Sequence, residues 1–152
     1  MNTTQALAQR YERLLAQLEK LVAETRDVTA RLSTAAALLH HKMPHFFWTG
    51  FYLLRDGELV VGPYQGSLAC LVLAKNQGVC WASVSQGRTI VVPDVQKYPG
   101  HIACDSRSRS EIVVPLRDKD ARIWGVLDVD SARLAAFAET DRLGLEKIVG
   151  LL

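Results

Sequence analysis

The segment Gly100–Pro115, GHIACDSRSRSEIVVP, carries the side chains best suited to chemistry. Cys104 lies before a polar Ser/Arg run that is typical of a loop, and Glu111 begins the strand that follows. A cysteine reacts as its thiolate, which nearby cations favour. We therefore expect Cys104 to be reactive, with Arg107, Arg109 or a protonated His101 stabilising the thiolate and Asp105 opposing them. The alternative from this segment alone is an ordinary cysteine in a surface loop.

A second acidic group ends the last predicted strand, LDVDS. Alternation places Asp128 and Asp130 on one face of that strand. Like charges this close raise the pKa of at least one carboxyl unless a cation lies between them, so one acts as an acid or the pair binds a positive group. Glu111 begins the neighbouring strand of the same hairpin and is expected to converge on this end. A solvated strand end is the simpler alternative.

The three cysteines, Cys70, Cys80 and Cys104, form no even-numbered disulfide framework. In a reducing compartment such cysteines are reduced, catalytic or redox-active rather than structural. Cys80 begins a short predicted helix, whose unpaired N–H groups lower the pKa of a thiol, although core packing fits equally well. Neither the cysteines nor the histidines at 40–45 match a zinc-ligand spacing, so we expect no metal and no cofactor.

Aromatic side chains form a third candidate group. The period of two places Trp48, Gly50 and Tyr52 on one face of the first predicted strand, with Phe47 on the other. Packing in the core explains the two aromatic residues. Gly50 between them would leave room for a ligand to approach the backbone.

Composition indicates one soluble domain. The 152 residues are 49% apolar, enough for a single core. The net charge of +2 (18 − 16) is scattered along the chain, which argues against binding to nucleic acid or to a membrane. We find no signal-peptide core and no run of 18 apolar residues, so we expect a cytoplasmic protein.

Periodicity predicts an α+β fold, with a central antiparallel sheet of about six strands and flanking helices. Two N-terminal helices occupy 1–43, the sheet and its loops 46–131, and a C-terminal helix capped by Thr140 occupies 140–152. Asp27 is a predicted N-cap and Pro44 a helix stop. The predicted strands are FFWTGFYLL, ELVVGPYQG, LACLVLAK, TIVVPD, SEIVVPLRD and ARIWGVLDVDS, and the predicted short helix is VCWASVSQG.

Motifs between Trp48 and Ser131 closely resemble the free methionine-(R)-sulfoxide reductases, which are single GAF-domain enzymes. These motifs are WTGFY, GPYQG, LAC, GVCWAS, DVQKYPGHIACDSRSRSEIVVP and GVLDVDS. Two residues depart from the family pattern. Trp81 stands where glycine is expected and Arg109 where asparagine is usual, and both bear on the shape of the pocket rim.

The resemblance implies thiol-dependent reduction of free L-methionine-(R)-sulfoxide to L-methionine through a cysteine sulfenic acid and an intramolecular disulfide. It makes Cys104 the nucleophile, Cys70 the resolving thiol and Cys80 a further redox-active cysteine. The implied substrate-binding residues are Trp48, Tyr52, Glu111, Asp128 and Asp130. A thioredoxin-like dithiol is the implied reductant.

Two other readings stay open. The chain could be a GAF module that senses a small molecule or a redox signal without turnover, although it ends directly after the last helix, with no output domain. A homodimer that uses the amphipathic first helix is the other, and it is compatible with catalysis.

Overall fold

The structure is a computed structural model, and it describes residues 2–101 and 104–152. The elements in chain order are α1 (Thr3–Val22), α2 (Val28–Lys42), β1 (Trp48–Arg55), β2 (Glu58–Gln65), α3 (Gly78–Gln86), β3 (Ile90–Val92), β4 (Ser110–Arg117), β5 (Ile123–Ser131) and α4 (Glu139–Val149). None of the described helices is long and apolar enough to cross a membrane.

The strands form one antiparallel sheet in the order β2-β1-β5-β4-β3. This confirms the predicted α+β fold, with five strands. The segment LACLVLAK, predicted as a sixth, makes only an isolated bridge between Val72 and Val60. Its backbone is bonded to β2 at two points, and its Cys70 carbonyl accepts instead from the Tyr52 hydroxyl. Apolar composition predicted a strand here, but the ladder does not continue.

Local signals set most boundaries. Asp27 caps α2 by accepting a 2.8 Å hydrogen bond from the amide of Ala30, as predicted, and the helix ends at Lys42, before Pro44. The first hairpin turns at Asp56 and Gly57, both with positive φ, as a tight Asp-Gly turn requires. Thr140 is not the cap of α4, because the helix already begins at Glu139 and the Asp141 carboxylate accepts from the amide of Ala138.

The sheet separates two apolar clusters. Helices α1, α2 and α4 cover one face, which we call the helical face. Its largest fully buried side chains include Leu18, Leu39, Phe51, Leu127 and Leu145. Helix α3 and the connecting segments cover the opposite face, which we call the pocket face. Trp48, Tyr52, Cys80 and Val113 are among the residues buried there.

Candidate active site

The register of three strands brings the acidic side chains together. Asp130 of β5 pairs with Trp48 of β1 on one side and with Glu111 of β4 on the other. Asp128 lies two residues along β5, on the same face. Residues paired across antiparallel strands present their side chains on a common face. The three carboxyl groups therefore converge at one end of the pocket face, as the alternation predicted.

Burial makes this group electrostatically unusual. Glu111 is 5% exposed and Asp128 is 7% exposed. Desolvation, and then the charge of Asp130, raise the pKa of Glu111 to about 8. Burial also raises the pKa of Asp128 and of Asp130 well above the usual range, each with a neighbouring carboxylate adding to it. At neutral pH the group consequently retains protons and can act as an acid.

Hydrogen bonding treats the carboxyl groups differently. Asp130 accepts a 2.7 Å bond from the Ser108 hydroxyl, which opposes the rise in its pKa. By contrast, Oδ1 of Asp128 is buried and has no partner among the described residues. A buried polar atom without a partner is costly unless a ligand satisfies it. This oxygen is therefore poised to accept a donor from a bound molecule.

Cys70 and Cys104 are joined by a disulfide, with their Cα atoms 5.7 Å apart. This is the pairing that the family resemblance implies. Cys104 is exposed and also lines the pocket, whereas Cys70 lies in the segment that follows β2. The redox-active bond thus joins the mouth of the pocket to a neighbouring surface segment.

Cys80 is the remaining thiol and is buried at the start of α3. The sequence left open whether the helix start lowers its pKa or the residue packs in the core, and Cys80 is buried in the apolar cluster of the pocket face. Burial raises the pKa of Cys80, and Asp128 and Glu111 raise it further. Desolvation and like-charge neighbours outweigh the helix terminus, so this thiol is protonated at neutral pH.

Among the described residues, Cys80, Glu111 and Asp128 form a group that could hold a metal ion. The Cys80 sulfur and one oxygen each from Glu111 and Asp128 lie within 4.8 Å of one another. A cation there would have to displace protons from groups whose pKa values are all raised.

Aromatic side chains line the same pocket as the three carboxyl groups. The ring centroids of Trp48 and Tyr52 lie 6.0 Å apart, and Tyr64 stacks on the other side of Trp48 at 5.3 Å. Gly50 admits this stack rather than a ligand, since a Cβ there would lie 2.6 Å from Cη2 of Trp48. The Trp48 N–H donates to the carbonyl of Ser67 and the Tyr52 hydroxyl to that of Cys70. The donors of both side chains are therefore occupied, which leaves their ring surfaces, and the hydroxyl oxygen of Tyr52 as an acceptor, for a ligand.

Two of the cations expected to activate Cys104, Arg107 and His101, are otherwise engaged. Asp105 holds Arg107 through two side-chain hydrogen bonds of 2.7 and 3.0 Å, which lower the pKa of Asp105. The Arg107 guanidinium also lies over the ring of Phe47, 4.8 Å from its centroid. The His101 imidazole lies 3.4 Å from Glu111, but burial lowers its pKa, which favours the neutral ring. In this disulfide form, neither group supplies an uncompensated positive charge.

The pocket is partly open to solvent, and its lining combines aromatic rings with carboxyl groups, as sites for small organic molecules commonly do. Seven predicted residues line it, namely Trp48, Tyr52, Cys80, Cys104, Glu111, Asp128 and Asp130. Cys70 is placed by its disulfide instead.

Sequence reasoning did not assign Phe47 or Ser108 to the pocket, yet both line it. Phe47 precedes the first residue of β1, so strand alternation does not govern its side chain. Ser108 belongs to the polar run that predicted only a loop.

The two departures from the family pattern lie outside this pocket. Trp81 belongs to α3 and packs in the apolar cluster of the pocket face, where its indole N–H has no partner among the described residues. Arg109 is exposed, and its amide donates to the carbonyl of Ser131. Neither is among the described lining residues.

Comparison with known proteins defines first the class and then the family. Residues 14–152 match the model of the GAF domain. The GAF domain-containing protein A of Dictyostelium discoideum is 47% identical, over 95% of this chain and 90% of that protein. The free methionine-R-sulfoxide reductase of Escherichia coli is 40% identical, over 93% and 86%.

A solved structure agrees with these relatives. Free methionine-R-sulfoxide reductase from Neisseria meningitidis, in complex with its substrate, superposes with a TM-score of 0.90 at 46% identity, over 95% of this chain and 86% of that one. The chain belongs to the GAF-domain family and, within it, to the family of free methionine-R-sulfoxide reductases.

Proposed function

We propose that this protein reduces free L-methionine-(R)-sulfoxide to L-methionine, with Cys104 as the nucleophile and Cys70 as the resolving thiol. The observation that carries the proposal is the Cys70–Cys104 disulfide beside a pocket lined by three carboxyl groups, of which Glu111 and Asp128 are buried. Membership of the reductase family supports the same reaction.

In the first step, the Cys104 thiolate attacks the sulfoxide sulfur while a carboxylic acid protonates the sulfoxide oxygen. The oxygen passes to Cys104 as a sulfenic acid, and the reduced thioether leaves as methionine. Such an acid must be neutral before the reaction, as buried carboxyl groups can be. Glu111, with a pKa of about 8, meets this requirement at neutral pH.

In the second step, the Cys70 thiol attacks the Cys104 sulfenic acid and releases water. The product is the disulfide of the present structure. A dithiol reductant then restores both thiols by exchange and is itself oxidised. We propose a thioredoxin-like protein for this role.

Recognition of the free amino acid follows from the surplus of acidic groups. Proton transfer needs one carboxyl group, and the pocket has three. A free amino acid carries an ammonium group that a residue within a peptide lacks, and it would satisfy the unpaired oxygen of Asp128. We assign Glu111, Asp128 and Asp130 jointly to ammonium binding and proton donation.

The remaining predicted residues shape the pocket. Trp48 and Tyr52 offer apolar ring surfaces for the methyl and thioether part of the substrate, since their polar atoms are bonded to backbone carbonyls. For Cys80 we propose a supporting role, because its thiol is buried and its pKa is raised. Cys80→Ser should therefore lower turnover less than Cys70→Ser.

The test is incubation with each diastereomer of methionine sulfoxide and dithiothreitol, followed by quantification of methionine. We expect methionine from the (R) form and little or none from the (S) form. Binding of the (R) form in a calorimeter without release of methionine would instead support the alternative of a sensor.

A further inference from the structure

A short surface segment next to Cys70 is unusually apolar. Among the described residues, eight large apolar side chains are exposed, and three of these lie within positions 68–72. Leu68 is 85% exposed, Leu71 is 73% exposed and Val72 is 47% exposed. Exposed apolar side chains that cluster in this way mark interaction sites more often than those that occur singly. We call these three residues the apolar rim.

The apolar rim is held in place by backbone hydrogen bonds. The carbonyl of Leu71 accepts from Val61 and the amide of Leu73 donates to Leu59, at 2.9 and 3.0 Å. Side chains of the pocket hold the carbonyls of Ser67 and Cys70, each at 3.0 Å. Leu71 and Val72 therefore project from a fixed segment, and their exposure does not come from a loosely held loop.

The rim adjoins the disulfide. Leu68 and Val72 are each two residues from Cys70, so their Cα atoms lie within about 7 Å of it. On the other side of the bond, Cys104 is exposed and Asp105 and Arg107 compensate each other's charge. A partner that reaches the disulfide consequently meets an apolar surface with a neutral ion pair beside it.

We propose that the apolar rim is the docking surface for the protein that reduces the Cys70–Cys104 disulfide. This rests on the proposed function, which requires the disulfide to be reduced in each cycle. The partner is a dithiol protein whose reactive cysteine lies in an apolar surface. Exchange brings its sulfur into bonding distance of a disulfide sulfur, and this necessarily covers the neighbouring surface.

The exchange balances without a further reactant. One partner thiolate attacks a sulfur of the disulfide, which forms a mixed disulfide and releases the other enzyme cysteine as a thiolate. The second partner thiol then displaces the enzyme sulfur. The partner loses two electrons and two protons, and Cys70 and Cys104 regain their thiols.

The test compares a protein reductant with a small one. Leu71→Asp is the test variant, because Leu71 does not line the pocket and is exposed, so the fold should tolerate the change. We expect kcat/KM for reduced thioredoxin to fall about tenfold, whereas turnover driven by dithiothreitol stays unchanged. Leu143→Asp is the matched control. Leu143 is 46% exposed, does not line the pocket and lies on α4, which covers the helical face and not the pocket face.

A second measurement separates this proposal from the proposed function. Oxidised protein is mixed with reduced thioredoxin in the absence of sulfoxide, and the rate at which the Cys70–Cys104 disulfide is reduced to two thiols is measured. Slower reduction of the disulfide in Leu71→Asp than in the wild type supports docking of the reductant at the apolar rim, even if methionine sulfoxide is not a substrate. The proposal would be overturned if thioredoxin reduced the disulfide at equal rates in the wild type and in Leu71→Asp. It would also be overturned if Leu143→Asp lowered this rate as much as Leu71→Asp does. A change in oligomeric state in Leu71→Asp without a change in this rate would overturn it as well, because the rim would then bind a second copy of the chain.

Discussion

The two faces of the central sheet use the same strands for different purposes. On β5, Leu127 and Val129 are fully buried against the helices, whereas Asp128 and Asp130 point into the pocket. The pleat makes this division possible, because successive side chains lie on opposite faces. Both faces gain stability from apolar burial, but the pocket face also holds acids whose burial opposes stability. Substitutions on the two faces should therefore have separable effects.

The largest expected effect is on the pocket face. Cys104→Ser should abolish reduction, because it removes the attacking sulfur. Cys70→Ser should still release about one methionine per enzyme molecule without reductant, since attack precedes resolution. Rapid-quench measurement of methionine checks both variants. Turnover by Cys104→Ser, together with loss of the single burst in Cys70→Ser, would exchange the two roles.

Substrate selectivity tests the carboxyl groups. Acetylation of the substrate nitrogen removes its positive charge, so kcat/KM for N-acetyl-methionine sulfoxide should be at least about a hundredfold lower than for the free amino acid. Asp128→Asn should narrow this ratio, because it removes the negative charge whose unpaired oxygen we assign to the ammonium group. If an oxidised peptide were reduced as fast as the free amino acid, the carboxyl groups would not bind an ammonium group, and proton transfer would be their only role.

The helical face should behave in the opposite way. Leu127→Ala removes a fully buried side chain next to Asp128 in sequence, and it should lower the free energy of unfolding by about 2–5 kcal/mol. Its kcat/KM, measured well below the melting temperature, should match the wild type. Urea unfolding and steady-state kinetics give the two values. A large loss of activity in this folded variant would show that the faces are coupled.

A further effect is a dependence of stability on pH. The pKa of Glu111 rises from 4.5 to about 8 on folding, so between these values the native protein holds a proton that the unfolded chain releases. Stability therefore falls as pH rises through this window, by at most about 1.4 kcal/mol per pH unit from this group. Glu111→Gln should make the curve less steep, while the raised pKa values of Asp128 and Asp130 still contribute to the slope. Urea unfolding at pH 5, 6.5 and 8 measures the slopes, and parallel curves would contradict the assignment.

Much of the site geometry was predictable because it depends on short-range rules. The period of two placed Asp128 and Asp130 on one face, and the hairpin between β4 and β5 brought Glu111 opposite Asp130. The Asp56-Gly57 turn and the Asp27 cap were likewise predictable, because their signals lie within a few residues. Residues that enter the pocket from outside the strands, such as Phe47 and Ser108, carried no comparable signal.

The sequence by itself determined which side chains share a face, because alternation is a local property of the backbone. Only the tertiary structure decided their environment. A helix start favours a lowered pKa for Cys80, but burial, and then the neighbouring Asp128 and Glu111, raise it. Likewise, the composition of LACLVLAK predicted a strand, but its Cys70 carbonyl accepts from the Tyr52 hydroxyl instead of continuing the ladder, and Leu71 is exposed beside the disulfide. Desolvation and hydrogen-bond partners arise from residues far apart in the chain, so they are decided only when the chain folds.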